Sequence, residues 1–202
     1  MPKVLADNEE VVFQEGIPED PSHIYELLMG AFAEQRRSVV KYLVDGEDAL
    51  QAGEFPKTFE LIEAESLSHD EITLRLSIEL INQMNGLENS LSAYSVNVLS
   101  TPWSEVFKQM DAFIQKIQPF ADLIDHVIPY AQNYSPSWRP EIEKIALEQA
   151  KCLDCILKSF EKLDPALLSN EISDHLIPIL KNCLSLFEMS IIPQLKEVPT
   201  NS

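Results

Sequence analysis

Val106–Tyr134, reading VFKQMDAFIQKIQPFADLIDHVIPYAQNY, sets its apolar side chains at alternating steps of four and three: Val106, Met110, Phe113, Ile117, Phe120, Ile124, Val127, Ala131 and Tyr134. That spacing lines one face of a long helix and predicts packing against other helices. Pro119 and Pro129 lie inside the stretch, and each removes one backbone hydrogen bond. The apolar register passes through Pro119 unshifted, so a kink without a loop is expected.

Similar stripes extend to both sides. Asp20-Pro21 has the form of an N-cap followed by proline at the first helical position. It predicts a helix burying Ile24, Leu27, Leu28, Ala31, Val39, Leu43 and Leu50, and ending near Gly53. A second segment starts at Pro56 with Phe59 and Ile62 inward. Ser68 with Glu71 is a capping-box pattern and marks a break near Leu67. The stripe resumes through Leu74, Ile78, Ile81, Met84, Leu87, Leu91, Tyr94 and Val98. Thr101-Pro102 repeats the cap-then-proline signal ahead of the opening stretch. A further helix from Pro140 places Ile142, Ile145, Cys152, Ile156, Phe160 and Leu163 inward, with Lys144, Glu148, Lys151, Asp154, Lys158 and Glu161 toward solvent. After Asp164-Pro165, Ile172, Leu176, Ile179, Cys183, Phe187 and Ile191 form the last stripe.

The expected fold is therefore all-α: an antiparallel bundle of about five long helices with proline kinks. The expected organisation is a mobile acidic N-terminal arm over 1–19, a single helical-bundle domain over 20–198 and a C-terminal tail over 199–202. Within the arm, Val11, Val12 and Phe13 form a short apolar knot suited to docking on the body or on a neighbouring chain. Asp125-His126-Val127-Ile128-Pro129 is echoed by Asp174-His175-Leu176-Ile177-Pro178. The simplest reading is that each proline bends a helix around the core. Ala49–Phe55 followed by Leu61 resembles the helix junction of flagellar secretion chaperones, in a pattern that any helical hairpin produces, so it assigns no family.

Charge narrows the function classes. The chain carries 33 acidic and 15 basic residues, a net charge of -18. Nucleic acid and anionic membrane surfaces are thus unsuitable partners, because both are bound through clustered Lys and Arg. Five glycines in 202 residues leave no Gly-rich phosphate loop. Neither a nucleophile elbow nor a dinucleotide fingerprint occurs. No run reaches the roughly 20 uninterrupted apolar residues of a membrane span. The N-terminus lacks the basic-then-apolar order of a secretory signal, and three cysteines suit reduced thiols, so a cytoplasmic location is expected.

Metal chemistry has thin support in the residue types. Cys152 and Cys155 form a CxxC in mid-helix, and Cys183 with His126 or His175 would be needed to complete a zinc set. Glu65 and His69, Asp122 and His126, and Glu171 and His175 each stand four apart, but the Glu-x-x-His of carboxylate-bridged metal bundles is absent. Core packing of the thiols and surface pairing of the histidines are the plainer readings, and no cofactor or catalytic residue is expected. Acidic residues concentrate at Asp45, Glu47, Asp48, Glu54, Glu60, Glu63 and Glu65. These suggest a docking face for a protein with a basic surface. The expected function is that of a non-enzymatic cytosolic binding protein, adaptor-like or chaperone-like, with homodimerisation through the long stripe as a variant. The alternative is a metal- or small-ligand-binding bundle with enzymatic activity.

Overall fold

The computed structural model describes residues 2–197, and the tail expected at 199–202 lies outside them. The all-α expectation is overturned. The chain divides into two compact units, Met1–Ile72 and Thr73–Asn201, and the first is built on a mixed five-stranded sheet.

In the first unit, β1 (Lys3–Ala6) and β2 (Glu9–Glu10) form a hairpin, α1 (Pro21–Glu34) follows, β3 (Arg37–Val44) and β4 (Glu47–Asp48) form a second hairpin, and α2 (Ala49–Ala52) leads to β5 (Leu61–Ser68). The strand order is β2-β1-β5-β3-β4, with β1 and β5 parallel and every other pair antiparallel. Two hairpins around a central parallel pair, with one helix clasped against the sheet, make a β-grasp arrangement.

Turn chemistry explains both hairpins. Asp7-Asn8 (φ 49° and 70°) and Asp45-Gly46 (φ 51° and 87°) are two-residue loops with both residues left-handed. That is the type I′ turn, whose twist matches the strands it joins. Asp45 also accepts hydrogen bonds from the Glu60 and Leu61 amides at 2.9 and 2.7 Å, fixing where β5 begins. Along β5, buried Ile62, Ala64 and Ser66 alternate with Glu63 and Glu65, the period of a strand with two different faces. A bulge between Val39 and Lys41 turns Val40 outward while Val39, Tyr42 and Val44 point in.

Ile24 and Leu28 of α1 close on Val4, Val39, Tyr42, Val44, Ile62 and Ala64 to form the core of this unit. Tyr42 donates its hydroxyl to the Pro21 carbonyl at 2.7 Å and stands edge-on to Tyr25. The Asp20 cap forms as expected, accepting the Ser22 amide at 2.9 Å. What was read as one helix over 20–53 is α1, β3, β4 and α2. Val39, Leu43 and Leu50 merely share a spacing that a helix would also give. The segment with Phe59 and Ile62 enters β5, and the flagellar-chaperone likeness at 49–55 falls on α2 and the loop after it. The segment expected as an arm supplies β1 and β2. In the apolar knot, Val11 and Phe13 pack on this core and Val12 is exposed.

α3 (His69–Gln83) starts at the anticipated capping box. The Ser68 amide donates to Glu71 Oε2 at 3.0 Å, and the Glu71 amide to Ser68 Oγ at 3.1 Å. Beyond it the described residues of the second unit are helical: α4 (Leu87–Val98), α5 (Trp103–Lys108), α6 (Met110–Tyr134), α7 (Arg139–Glu161), α8 (Pro165–Asn170), α9 (Ile177–Leu186) and α10 (Ile192–Glu197). Val106, Phe113, Ile117, Phe120, Ile124, Val127 and Ala131 of the opening stripe are buried. Both prolines lie within α6, but Gln109 separates it from α5. Thr101 does not cap α5; its hydroxyl donates to the Asn97 carbonyl at 2.8 Å.

Two wide π turns, Glu171–Leu176 and Phe187–Ile191, interrupt the last run, with the Ile177 amide reaching Ile172 and the Ile192 amide reaching Phe187. Each ends two residues before a proline, Pro178 or Pro193. The widened turn gives the pyrrolidine ring room against the carbonyl four residues back. Within the run Pro165–Glu197 an 18-residue window reaches a mean hydropathy of 1.4, long and apolar enough for a membrane span. Its apolar residues have a place in this unit: Leu168, Ile172, Leu176, Leu180, Cys183, Phe187 and Ile191 are fully shut inside the core.

Candidate functional site

Register across the sheet assembles a face that no linear motif contains. Asp48 of β4 pairs with Leu43 of β3, Leu43 with Glu63 of β5, Glu63 with Leu5 of β1, and Leu5 with Glu10 of β2. Directly opposed residues share a face, and Leu43 and Glu63 alternate with the buried Val44 and Ile62. The row Asp48–Leu43–Glu63–Leu5–Glu10 therefore crosses all five strands on the side of the sheet away from α1. One step along, Glu65 pairs with Lys41, joined at 3.1 Å, and Leu61 lies beside Lys3, which reaches Glu10 at 3.5 Å. Leu5, Leu43, Leu61 and Leu67 are half-buried and belong to neither apolar core.

The seven acids expected as a docking face are thereby sorted. Asp48, Glu63 and Glu65 stand on this row or next to it. Glu47 pairs with Val44 and so belongs to the opposite face, and Glu54 and Glu60 are exposed between α2 and β5. Asp45 is committed to its turn, and Asp48 additionally caps α2 through the Leu50 amide at 3.0 Å. Charge is concentrated here too: 17 of the acidic residues but only five of the basic ones fall in the first 72 positions. Leu5 and Glu10 are missed by the sequence reading, which places Leu43 inward on a helix. The alternation Ile62-Glu63-Ala64-Glu65-Ser66 was the available signal for the face they share.

The metal candidates do not converge. Among the described residues, no group of three or more His, Cys, Asp or Glu side chains is placed to hold a metal ion. Cys152, Cys155 and His175 do line one cavity of about 450 Å³ with Glu148, Glu171 and Asp174. Within it, the Cys152 thiol donates to the Glu171 carbonyl at 3.6 Å, at the head of the first π turn. Burial, reinforced by the Glu171 and Cys155 charges, pushes Cys152 up to about 12. A thiol so held stays protonated, unlike the depressed thiol of a redox CxxC. Cys183 is enclosed in the core and is likewise pushed up to about 12 by burial.

His126 is half-buried in α6, facing the Thr73 carbonyl, with Nε2 shielded and unpartnered. Burial pulls its pKa below the ordinary imidazole value against the opposing effect of that carbonyl. The remaining i,i+4 carboxylate–histidine spacings lead elsewhere: His69 Nε2 meets Ser38 Oγ at 3.0 Å, and Asp122 accepts from Gln118 at 2.6 Å.

No family model, curated protein or solved structure matches this chain.

Proposed function

We propose that this chain is a protein-binding module, and that its acidic sheet face docks a basic, apolar-studded segment of another protein. The observation that supports the reading is the row Asp48–Leu43–Glu63–Leu5–Glu10, where carboxylates alternate with half-exposed leucines across the sheet. Leucines supply buried area on association, while carboxylates attract cationic partners and repel anionic ones. A cytoplasmic setting is proposed with it, on the three unbridged thiols.

The test is affinity capture from a host extract by the intact chain, with the double variant Glu63→Lys/Glu65→Lys run in parallel. The reading expects a basic partner held by the wild type, lost from the variant, and released by about 0.5 M salt, where the screening length falls to a few ångströms. Equal recovery by both proteins, or release that ignores salt, would remove the sheet face from the account.

A further inference from the structure

β2 is an outermost strand of the sheet, and register shows what its outer edge offers. Ala6 and Glu9 close the two-residue turn as a bonded pair, and Leu5 and Glu10 stand opposite without exchanging bonds. The Val11 amide then donates to the Val4 carbonyl at 2.9 Å. By this alternation the N–H and C=O groups of Glu10 and Val12 point away from β1. Among the described residues, no turn or loop backbone bond reaches them. The strand-like run continues past Glu10. Val11 and Phe13 pack on the core of the first unit, and Val12 between them is 88% exposed, more than any other large apolar side chain described. It ends where the Phe13 carbonyl accepts the Gly16 amide at 3.4 Å. No proline, lysine or bulge guards this edge, and Glu9, Glu10 and Glu15 flank it with no basic residue between them. Lys3 reaches Glu10 at 3.5 Å, an exposed pair that another cation readily exchanges.

We infer that an extended basic segment of another protein adds to β2 as an antiparallel strand along Glu9–Val12. Glu9-Glu10-Val11-Val12 calls for the order apolar-apolar-basic-basic opposite itself, with the first apolar residue beside Val12 and the first basic one beside Glu10. Those two residues exchange backbone bonds in both directions with Val12 and Glu10. Like charges directly opposite each other exclude the β2 of a second copy from this place. The inference rests on the reading of the acidic sheet as a surface for basic segments and sets the segment at its margin, with Glu10 common to face and edge.

The probe is the peptide acetyl-Thr-Val-Val-Lys-Lys-Thr-amide, titrated into the full ¹⁵N-labelled chain and followed by nuclear magnetic resonance. It should shift the Glu10 and Val12 amides saturably at millimolar concentration and slow their hydrogen exchange at least about ten-fold near saturation. N-methyl groups on the first valine and first lysine, whose amides face β2, should weaken binding at least about ten-fold. The same groups on the second valine and second lysine, whose amides face away, should leave it within about two-fold. The Val12 amide has no partner inside the sheet, so Val12→Pro removes an edge donor and no bond of the fold, and should match the loss. Should Val12→Pro not fold, the two methylated peptides on the wild type decide. Equal binding of both would overturn the inference, as would no shift by about 20 mM. Binding that ignores methylation and Val12→Pro but is lost from Glu63→Lys/Glu65→Lys would lay the peptide on the sheet face; strand addition would then fail while the proposed docking face stood.

Discussion

Cys152 keeps its proton because burial disfavours the thiolate and the Glu171 carbonyl accepts the S–H. Cys183 keeps its own inside the core, leaving Cys155, half-buried on α7, as the thiol within reach of solvent. An aromatic disulfide reagent at neutral pH is therefore expected to release one equivalent quickly from the native chain and three after denaturation. Substituting Cys155→Ser should abolish the fast equivalent; a fast equivalent that survives would place the reactive sulfur elsewhere. His126 gives a second residue-scale expectation. Its native pKa lies below the ordinary value of about 6.5, so between the two values the unfolded chain binds more protons than the native one. The stabilisation is present above about pH 6.5 and is lost as pH falls toward the native pKa. Urea midpoints at about pH 7.5 and 5.5 should differ more for the wild type than for His126→Gln. An equal acid loss in both would detach the effect from this imidazole.

Among the elements, the caps at Asp20 and Ser68/Glu71 were legible, the one expected at Thr101 does not form, and the strands were not legible. Asp20-Pro21 and Ser68/Glu71 act locally, through bonds spanning two or three residues, so their spelling in sequence suffices. Ser68→Ala is expected to cost about 1 kcal/mol, read as a lowered urea midpoint. Asp45-Gly46 was equally local and equally spelled, a strong hairpin signal. The helical period that Val39, Leu43 and Leu50 also satisfy masks it. The β-branched and aromatic content of Val39–Val44 should have outweighed that coincidence. Gly46 sits at φ 87° with nothing within 4 Å of an added Cβ, so Gly46→Ala meets backbone strain and no clash. A loss of about 1 kcal/mol is expected by the same measurement. The sheet face was illegible for another reason: residues 5, 10, 43, 48 and 63 meet only once register is set, and no short window contains them. In the helical unit the stripe of α6 was plain in the sequence. The π turns were not, since widening of the helix depends on how a proline ring is accommodated.

Across the whole molecule, a net charge of -18 falls unevenly, with the heavier share on the first 72 residues. Self-repulsion on so small a unit opposes its compaction. Raising sodium chloride from about 0.02 to 0.2 M should therefore raise the thermal midpoint followed by far-ultraviolet circular dichroism, as the screening length shortens from about 20 to 7 Å. Lys41→Glu should lower the midpoint at low salt and recover part of the loss at high salt; a loss blind to salt would point to packing alone.

The margins of the sheet carry a last consequence. β2 and β4 are the outermost strands, each only two residues long, and their residues are Glu9, Glu10, Glu47 and Asp48. A copy approaching these two short strands to extend the ladder would meet four negative charges, although β4 covers β3 only at Leu43 and Val44. Edge-to-edge stacking at β2 and β4 is opposed by this like charge, which weakens as salt rises.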